Sequence, residues 1–206
     1  EISDGTLTFL CDNNKPEGAY DMRSTANNAW YDVADKITKV VFDKSFADYR
    51  PTSCAYWFCN CNNLTEIVNM EKYLNTENVT NMGRMFLYCS ELSSIDVSKF
   101  NTAEVSYMNF MFEGCSGLTS IDVSNFNTEN VTYMNGMFNG CSELTTLDIS
   151  NFNTEKVIYM SGMFWHCNSL KNIYVGDQWN TQSVTSSDNM FSGCDNLYGG
   201  KGTAIS

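Results

Sequence analysis

Thiols, carboxylates and a single imidazole stand at spacings in this chain that invite chemistry. Six of the nine cysteines form a series: Cys89, Cys115, Cys141 and Cys167 are each 26 apart, and Cys61 and Cys194 extend it at 28 and 27. Nine thiols in 206 residues would ordinarily suggest a disulfide framework. A thiol recurring at a fixed interval is instead a packing position, since free Cys is among the most buried residue types. Disulfides along the row are disfavoured, because parallel Cβ vectors on neighbouring strands stand farther apart than the ~3.8 Å a bridge prefers. No Cys-x-x-Cys pair exists to hold zinc. Cys11, Cys54 and Cys59 lie off the row, and their pairing stays open.

The carboxylates Asp96, Asp122 and Asp148 recur at the same interval and alternate with apolar residues. That alternation turns them away from the core of an extended segment. Carboxylates about 5 Å apart on neighbouring strands repel one another. The row is therefore either solvated and bonded to Ser98, Ser124 and Ser150, or a contact strip for a basic partner or for cations. Calcium wants six to eight oxygens, which this row alone does not supply. Two carboxylates can hydrolyse a glycoside, but acid and base need different environments, and repetition makes environments alike. The only histidine, His166, stands where Gly114 and Gly140 stand in other copies and reads as a surface substitution. No Gly-x-Ser-x-Gly, phosphate loop or His-Glu-x-x-His occurs. No catalytic residue, metal site or cofactor is expected.

These rows are one property of a repeat of about 26 residues. Met-Phe-x-x-Cys closes a unit at residues 85–89, 111–115, 137–141, 163–167 and 190–194, and Trp57 to Cys61 is a degenerate further copy. Within a unit, Ile121 and Val123 alternate with Asp122 and Ser124, the period of a strand with one buried face. Phe126 follows as a core filler, then the turn-prone Asn127-Thr128. Val131, Met134, Met137, Phe138 and Cys141 return to the core at helical spacing. A brief extended piece near Val131 and a short helical or 3₁₀ turn across Met137 to Cys141 are expected. One such unit cannot bury its own apolar face; stacking completes the burial and lets neighbouring strands share hydrogen bonds.

Two further rows follow from the register. Asn75, Asn101, Asn127, Asn153 and Asn180 are each followed by Thr, and these short polar side chains suit turn backbone that stacking would bury. Two sequons, at Asn78 and Asn130, recur only because the repeat does. Tyr107, Tyr133 and Tyr159 precede a core methionine, while neighbouring copies carry Asn81 and Ser186, so the core does not demand tyrosine there. Half-exposed stacked aromatics either cover the repeat's edge or contact protein or carbohydrate.

Residues 1–40 lack the motif and are expected to form an N-terminal cap. Thr6 to Leu10 would be one arm of its hairpin, Asn13 to Gly18 the turn and Ala19 to Met22 the return. Residues 41–206 then form the solenoid of about five to six repeats. The net charge of −12 opposes nucleic acid and anionic lipid and suits a basic partner. No apolar run is long enough for membrane insertion, and no signal peptide is visible at Glu1.

The unit Leu-x-x-Leu/Ile-Asp-Val/Ile-Ser-x-Phe-Asn-Thr-x-x-Val-x-x-Met-x-x-Met-Phe-x-x-Cys resembles the BspA-like leucine-rich-repeat surface proteins of bacteria, over residues 61–198 and more loosely over 36–60. The resemblance implies an α/β leucine-rich-repeat solenoid, with one strand per repeat on one face and short extended or helical turns on the other. It also implies a cell-surface or secreted, non-enzymatic adhesion module that binds host or partner-cell proteins or glycans, host matrix proteins among them. A signal or anchor is then expected outside this segment. The alternative is a structural spacer that presents another domain. Two units depart from the pattern: Glu66 to Leu74 is two residues longer, and Lys171 to Trp179 one longer, which puts strand register there in question.

Overall fold

The computed structural model describes residues 2–11 and 29–198. The coils stack into a solenoid held by two backbone ladders of different kinds. The first is a sheet. Strand β1 (Ile2–Ser3) pairs antiparallel with β2 (Thr6–Phe9), and β3 (Lys39–Phe42) and β4 (Glu66–Val68) add in parallel, in the order β1-β2-β3-β4. Strands β2 and β3 alternate half-buried and buried residues, which sends Leu7, Phe9, Val40 and Phe42 into the core. Phe9 lies flat on Phe42 at 4.6 Å, and Trp30, on the same cluster, donates from Nε1 to the Trp57 carbonyl at 2.7 Å. The expected turn, Asn13 to Gly18, and return arm, Ala19 to Met22, lie outside the described residues; the antiparallel neighbour of β2 is β1, across the Asp4-Gly5 turn.

The expectation of one strand per repeat needs correction. Strands β5 (Thr146–Ile149) and β6 (Asn172–Val175) pair in parallel, but the coils starting at Cys89 and Cys115 carry no paired strand. The physical reason lies in the longer unit. Its extra residues fold as a four-residue helix, α1 (Met70–Tyr73), directly after β4. Strand β4 keeps register with β3, Lys39 opposite Glu66, and among the described residues has no strand partner on its other side. An open groove of about 580 Å³ lies there, lined by Ile67, Met70, Ile95, Asp96, Ile121 and Asp122 among others. The extra residue of the later unit falls beyond β6, where the Trp179 N–H closes a turn on the Gly176 carbonyl, and β5 and β6 stay in register, Thr146 opposite Asn172.

The second ladder is the Met-x-x-Met-Phe-x-x-Cys run, and here a short helical or 3₁₀ turn was expected. Asn139 and Cys141 do donate three residues back, to Gly136 and Phe138, at 3.1 Å each. The run does not propagate as a helix because Gly136 and Gly140 sit at φ +62° and +72°. Each left-handed residue swings the next peptide outward. Met134, Gly136, Phe138 and Gly140 therefore donate to Tyr159, Ser161, Met163 and Trp165 of the following coil, at 2.7–3.0 Å. The same four bonds recur from the coil before and to the coil after. Non-glycine residues hold the left-handed positions elsewhere, namely Tyr56, Asn60, Arg84, Tyr88, Phe110, His166 and Asn189. Each is strained by about 1–2 kcal/mol, and the repeated ladder fixes the conformation regardless.

Between the ladders runs a column of stacked rings, Phe58, Phe86, Phe112, Phe138, Phe164 and Phe191, with centroids 5.2–6.0 Å apart. Buried Val, Met and Leu columns flank it, Val131, Met134, Met137 and Leu144 in the central coil. Among the described residues no helix is long and apolar enough to cross a membrane.

Candidate functional site

Stacking turns each polar position into a row, and the geometry separates rows that hold the fold from rows that face outward. The Asn-Thr row is structural. Each Asn Oδ1 accepts from the backbone two residues on, as Asn127 does from Glu129 N–H at 3.0 Å. The threonines do more. Thr76, Thr102, Thr128 and Thr154 are at most 2% exposed. Each hydroxyl donates to the carbonyl and accepts from the N–H of the Asn in the next coil; for Thr102 the partner is Asn127, at 2.9 and 2.8 Å.

The cysteine row is structural too. All nine thiols are free, with Cys11 exposed and the other eight buried. Cys89, Cys115, Cys141, Cys167 and Cys194 each donate to the phenylalanine carbonyl of the coil before, at 2.9–3.2 Å. Burial pushes the Cys115 and Cys167 thiols from their ordinary 9.0 up to about 12, and Cys141 well above its ordinary value. Thiolate is the nucleophile. Under native conditions at pH 8, a thiol-disulfide reagent is therefore expected to label Cys11 alone, and all nine after denaturation. Rapid native labelling of two or more would contradict the burial. Because the folded thiols titrate late, their contribution to stability is complete below pH 9 and is lost as pH rises from 9 toward 12.

Asp96, Asp122 and Asp148 are exposed and adopt one local geometry. Each Oδ1 accepts from Ser98, Ser124 or Ser150 N–H, at 2.9, 3.0 and 3.0 Å. The serine hydrogen bonds, side chain first and then backbone, hold all three carboxyls below the usual range. One oxygen of each carboxylate closes a turn, and Asp96 and Asp122 also line the groove beside β4. The turn-closing role was one of the two readings open from sequence; the contact-strip role is compatible with it.

Tyr107, Tyr133 and Tyr159 come together as a stack, with centroids 4.8 and 5.1 Å apart and planes within 17°. Their backbones form the parallel bridges that start each turn run, between Asn81 and Ser186. Tyr107 remains 42% exposed and Tyr159 39%, so the rings present an aromatic strip outward. His166 is exposed at φ +57°, on the glycine position of the turn run, and lies against the Trp165 ring at 5.0 Å.

A further cluster escaped the sequence reading. Three residues past Asn81, Tyr107, Tyr133, Tyr159 and Ser186, the left-handed position reads Arg84, Phe110, Gly136, Gly162 and Asn189. Arg84 lies over the Phe110 ring at 4.6 Å and the Tyr56 ring at 5.4 Å, and donates to Tyr56 Oη at 3.0 Å. Beyond Phe110 a groove of about 270 Å³ opens over Gly136 and Gly162. The available signal was a single position that changes side chain from coil to coil while its neighbours repeat.

The solved structures similar to this chain include a leucine-rich repeat protein of T. pallidum, at 18% identity and TM-score 0.52, covering 79% of this chain and 66% of that one. A leucine-rich cell surface protein of Faecalibacterium prausnitzii matches at 23% identity and TM-score 0.42 over 78% of this chain. A leucine-rich-repeat protein of Bacteroides ovatus matches at 20% and 0.36 over 74%. The chain spans 66%, 41% and 42% of these three. A search of curated proteins returned no match. The T. pallidum likeness supports the leucine-rich-repeat solenoid, and the resemblance to BspA-like repeat proteins holds. A family model described as "Mycoplasma protein of unknown function, DUF285" matches residues 52–145 and 119–200, which together take in the Met-x-x-Met-Phe-x-x-Cys ladder and the Phe column, and the chain belongs to that family.

Proposed function

We propose that the chain is a non-enzymatic binding module of the cell surface that contacts host or partner-cell proteins or glycans through its tyrosine strip, with the aspartate row steering basic partners. The observation that carries this reading is the exposed stack Tyr107–Tyr133–Tyr159, which the core does not require. Core positions in the same run, such as Met108 and Met134, are fully buried, whereas Tyr107 and Tyr159 are exposed and Tyr133 between them is partly buried. Aromatic rings held rigid lose little entropy on binding and suit the centre of an interface.

The test uses purified matrix proteins and a glycan array. Tyr107, Tyr133 and Tyr159 are changed together to Ser, the residue at 186, and Asp96, Asp122 and Asp148 together to Asn, which keeps the turn-closing acceptor. The tyrosine triple is expected to weaken binding by about a hundredfold, roughly 1 kcal/mol per ring. The aspartate triple is expected to slow association and reduce its salt dependence. Unchanged binding by the tyrosine triple sinks the reading, and absence of any partner favours the spacer alternative.

A further inference from the structure

The groove beyond Phe110 is a candidate site of its own, distinct from the tyrosine and aspartate rows. Its floor is Gly136 and Gly162, and Phe110, Trp165, Glu113 and Asp188 line it. The glycines are what keep it open. A Cβ at Gly136 would run into the Phe110 ring, and one at Gly162 would take up space on the floor in ordinary contact with Trp165. Both also sit at positive φ, +62° and +60°, where side chains are disfavoured.

The volume of about 270 Å³ falls below the usual range for a whole small-molecule ligand and suits one long side chain. The lining specifies its chemistry. Trp165 is 36% exposed and offers an indole, the best partner for a cation. Glu113 is half-buried, and desolvation raises its carboxyl above the ordinary range despite the hydrogen bond from Asn139 Nδ2 at 2.8 Å. A cation arriving there would relieve that penalty. Asp188 is exposed at the rim, and among the described residues the basic group acting on Glu113 is Arg84, which the Phe110 and Tyr56 rings already engage.

The neighbouring coils supply a precedent for what fits. One step back from Phe110 in the same row, the chain's own Arg84 guanidinium lies over aromatic rings of the coils on either side of it. At Gly136 and Gly162 the row offers aromatic and acidic groups and no side chain of its own. We propose that this groove receives an arginine side chain from a partner protein, stacked on Trp165 and Phe110 and paired with Glu113 and Asp188. Arginine is favoured over lysine because its planar guanidinium stacks on rings and forks onto carboxylates at once.

The probe is the peptide acetyl-Gly-Arg-Gly-amide, with its citrulline and lysine counterparts, followed through the Trp165 indole N–H resonance of the full chain. The arginine peptide is expected to shift that resonance in a saturable way, the lysine peptide to bind several-fold more weakly, and the citrulline peptide not to bind. Trp165→Ala and Glu113→Gln are each expected to weaken binding about tenfold, read by calorimetry. Phe110→Gly is the companion variant whose fold is secure, because glycine fills that position in the next two coils and relaxes the φ of +58°. It too should weaken binding, with the urea midpoint unchanged or raised. Equal response to arginine and citrulline, or undiminished binding in Glu113→Gln and Trp165→Ala, overturns the proposal. The Tyr→Ser and Asp→Asn triples should leave arginine binding intact, so failure here is separable from failure of the tyrosine strip.

Discussion

Thr128→Val is expected to destabilise the protein by about 2–4 kcal/mol while hardly changing its buried volume. Val copies the shape of Thr and removes only the hydroxyl. That hydroxyl accepts from the Asn153 N–H at 2.8 Å and donates to the Asn153 carbonyl at 2.9 Å. Both backbone groups therefore lose their partner with one substitution. An unmet buried donor or acceptor costs roughly 1–3 kcal/mol, and partial access of water to Asn153 keeps the sum toward the middle of the range. Thr128→Ser is the informative companion. It keeps the oxygen and gives up one methyl, a loss of about 1 kcal/mol. Urea unfolding should rank wild type above Ser and Ser above Val. A Val variant as stable as Ser would mean the row is held by packing, with the hydroxyl ladder contributing nothing.

The same threonine shows how far the sequence could be read and where reading stopped. A 26-residue period, the buried thiols and the structural character of the Asn-Thr row all follow from recurrence, because a position that repeats must sit in a repeated environment. The partner of the hydroxyl does not follow, since it lies in the next coil, 25 residues on. The Met137 to Cys141 run was legible only as a short local turn, for a related reason. Its apolar spacing is helical, but Gly136 and Gly140 take left-handed φ, and inter-coil bonds replace intra-coil ones. The missing strands beside β4 depend on where two extra residues settle, which only the folded helix α1 shows. Asp96, Asp122 and Asp148 and the tyrosine row were legible because they repeat. The Phe110–Trp165 groove was not, because a site made by departures from a repeat is invisible to a search for what recurs.

Phe138→Ala is expected to be more severe, at about 3–5 kcal/mol, and to change how the protein unfolds as well as when. Phe138 is fully buried, with Phe112 at 5.7 Å on one side and Phe164 at 6.0 Å on the other. Its backbone N–H is committed to the Met163 carbonyl at 2.9 Å, so the chain around it cannot slide in to fill the gap. In a stacked array each coil touches only its neighbours, and stability is close to a sum of coil and interface terms. Removing the ring weakens two adjacent interfaces at once. The β1–β4 sheet with its aromatic cluster then lies on one side of the weak point, and the last coils on the other. Unfolding should therefore separate into two transitions, the first reporting Trp165 and Trp179 and the second Trp30 and Trp57. The conservative Phe138→Leu fills most of the space and should cost under about 1.5 kcal/mol with a single transition retained. Tyr133→Ala, in the same coil but on the solvent side, provides the contrast. It removes an aromatic stack worth about 0.5–1.5 kcal/mol and opens no cavity in the core. A single cooperative transition in Phe138→Ala would mean that coupling along the two backbone ladders alone is strong enough to hold the coils together, with the Phe column setting stability but not cooperativity.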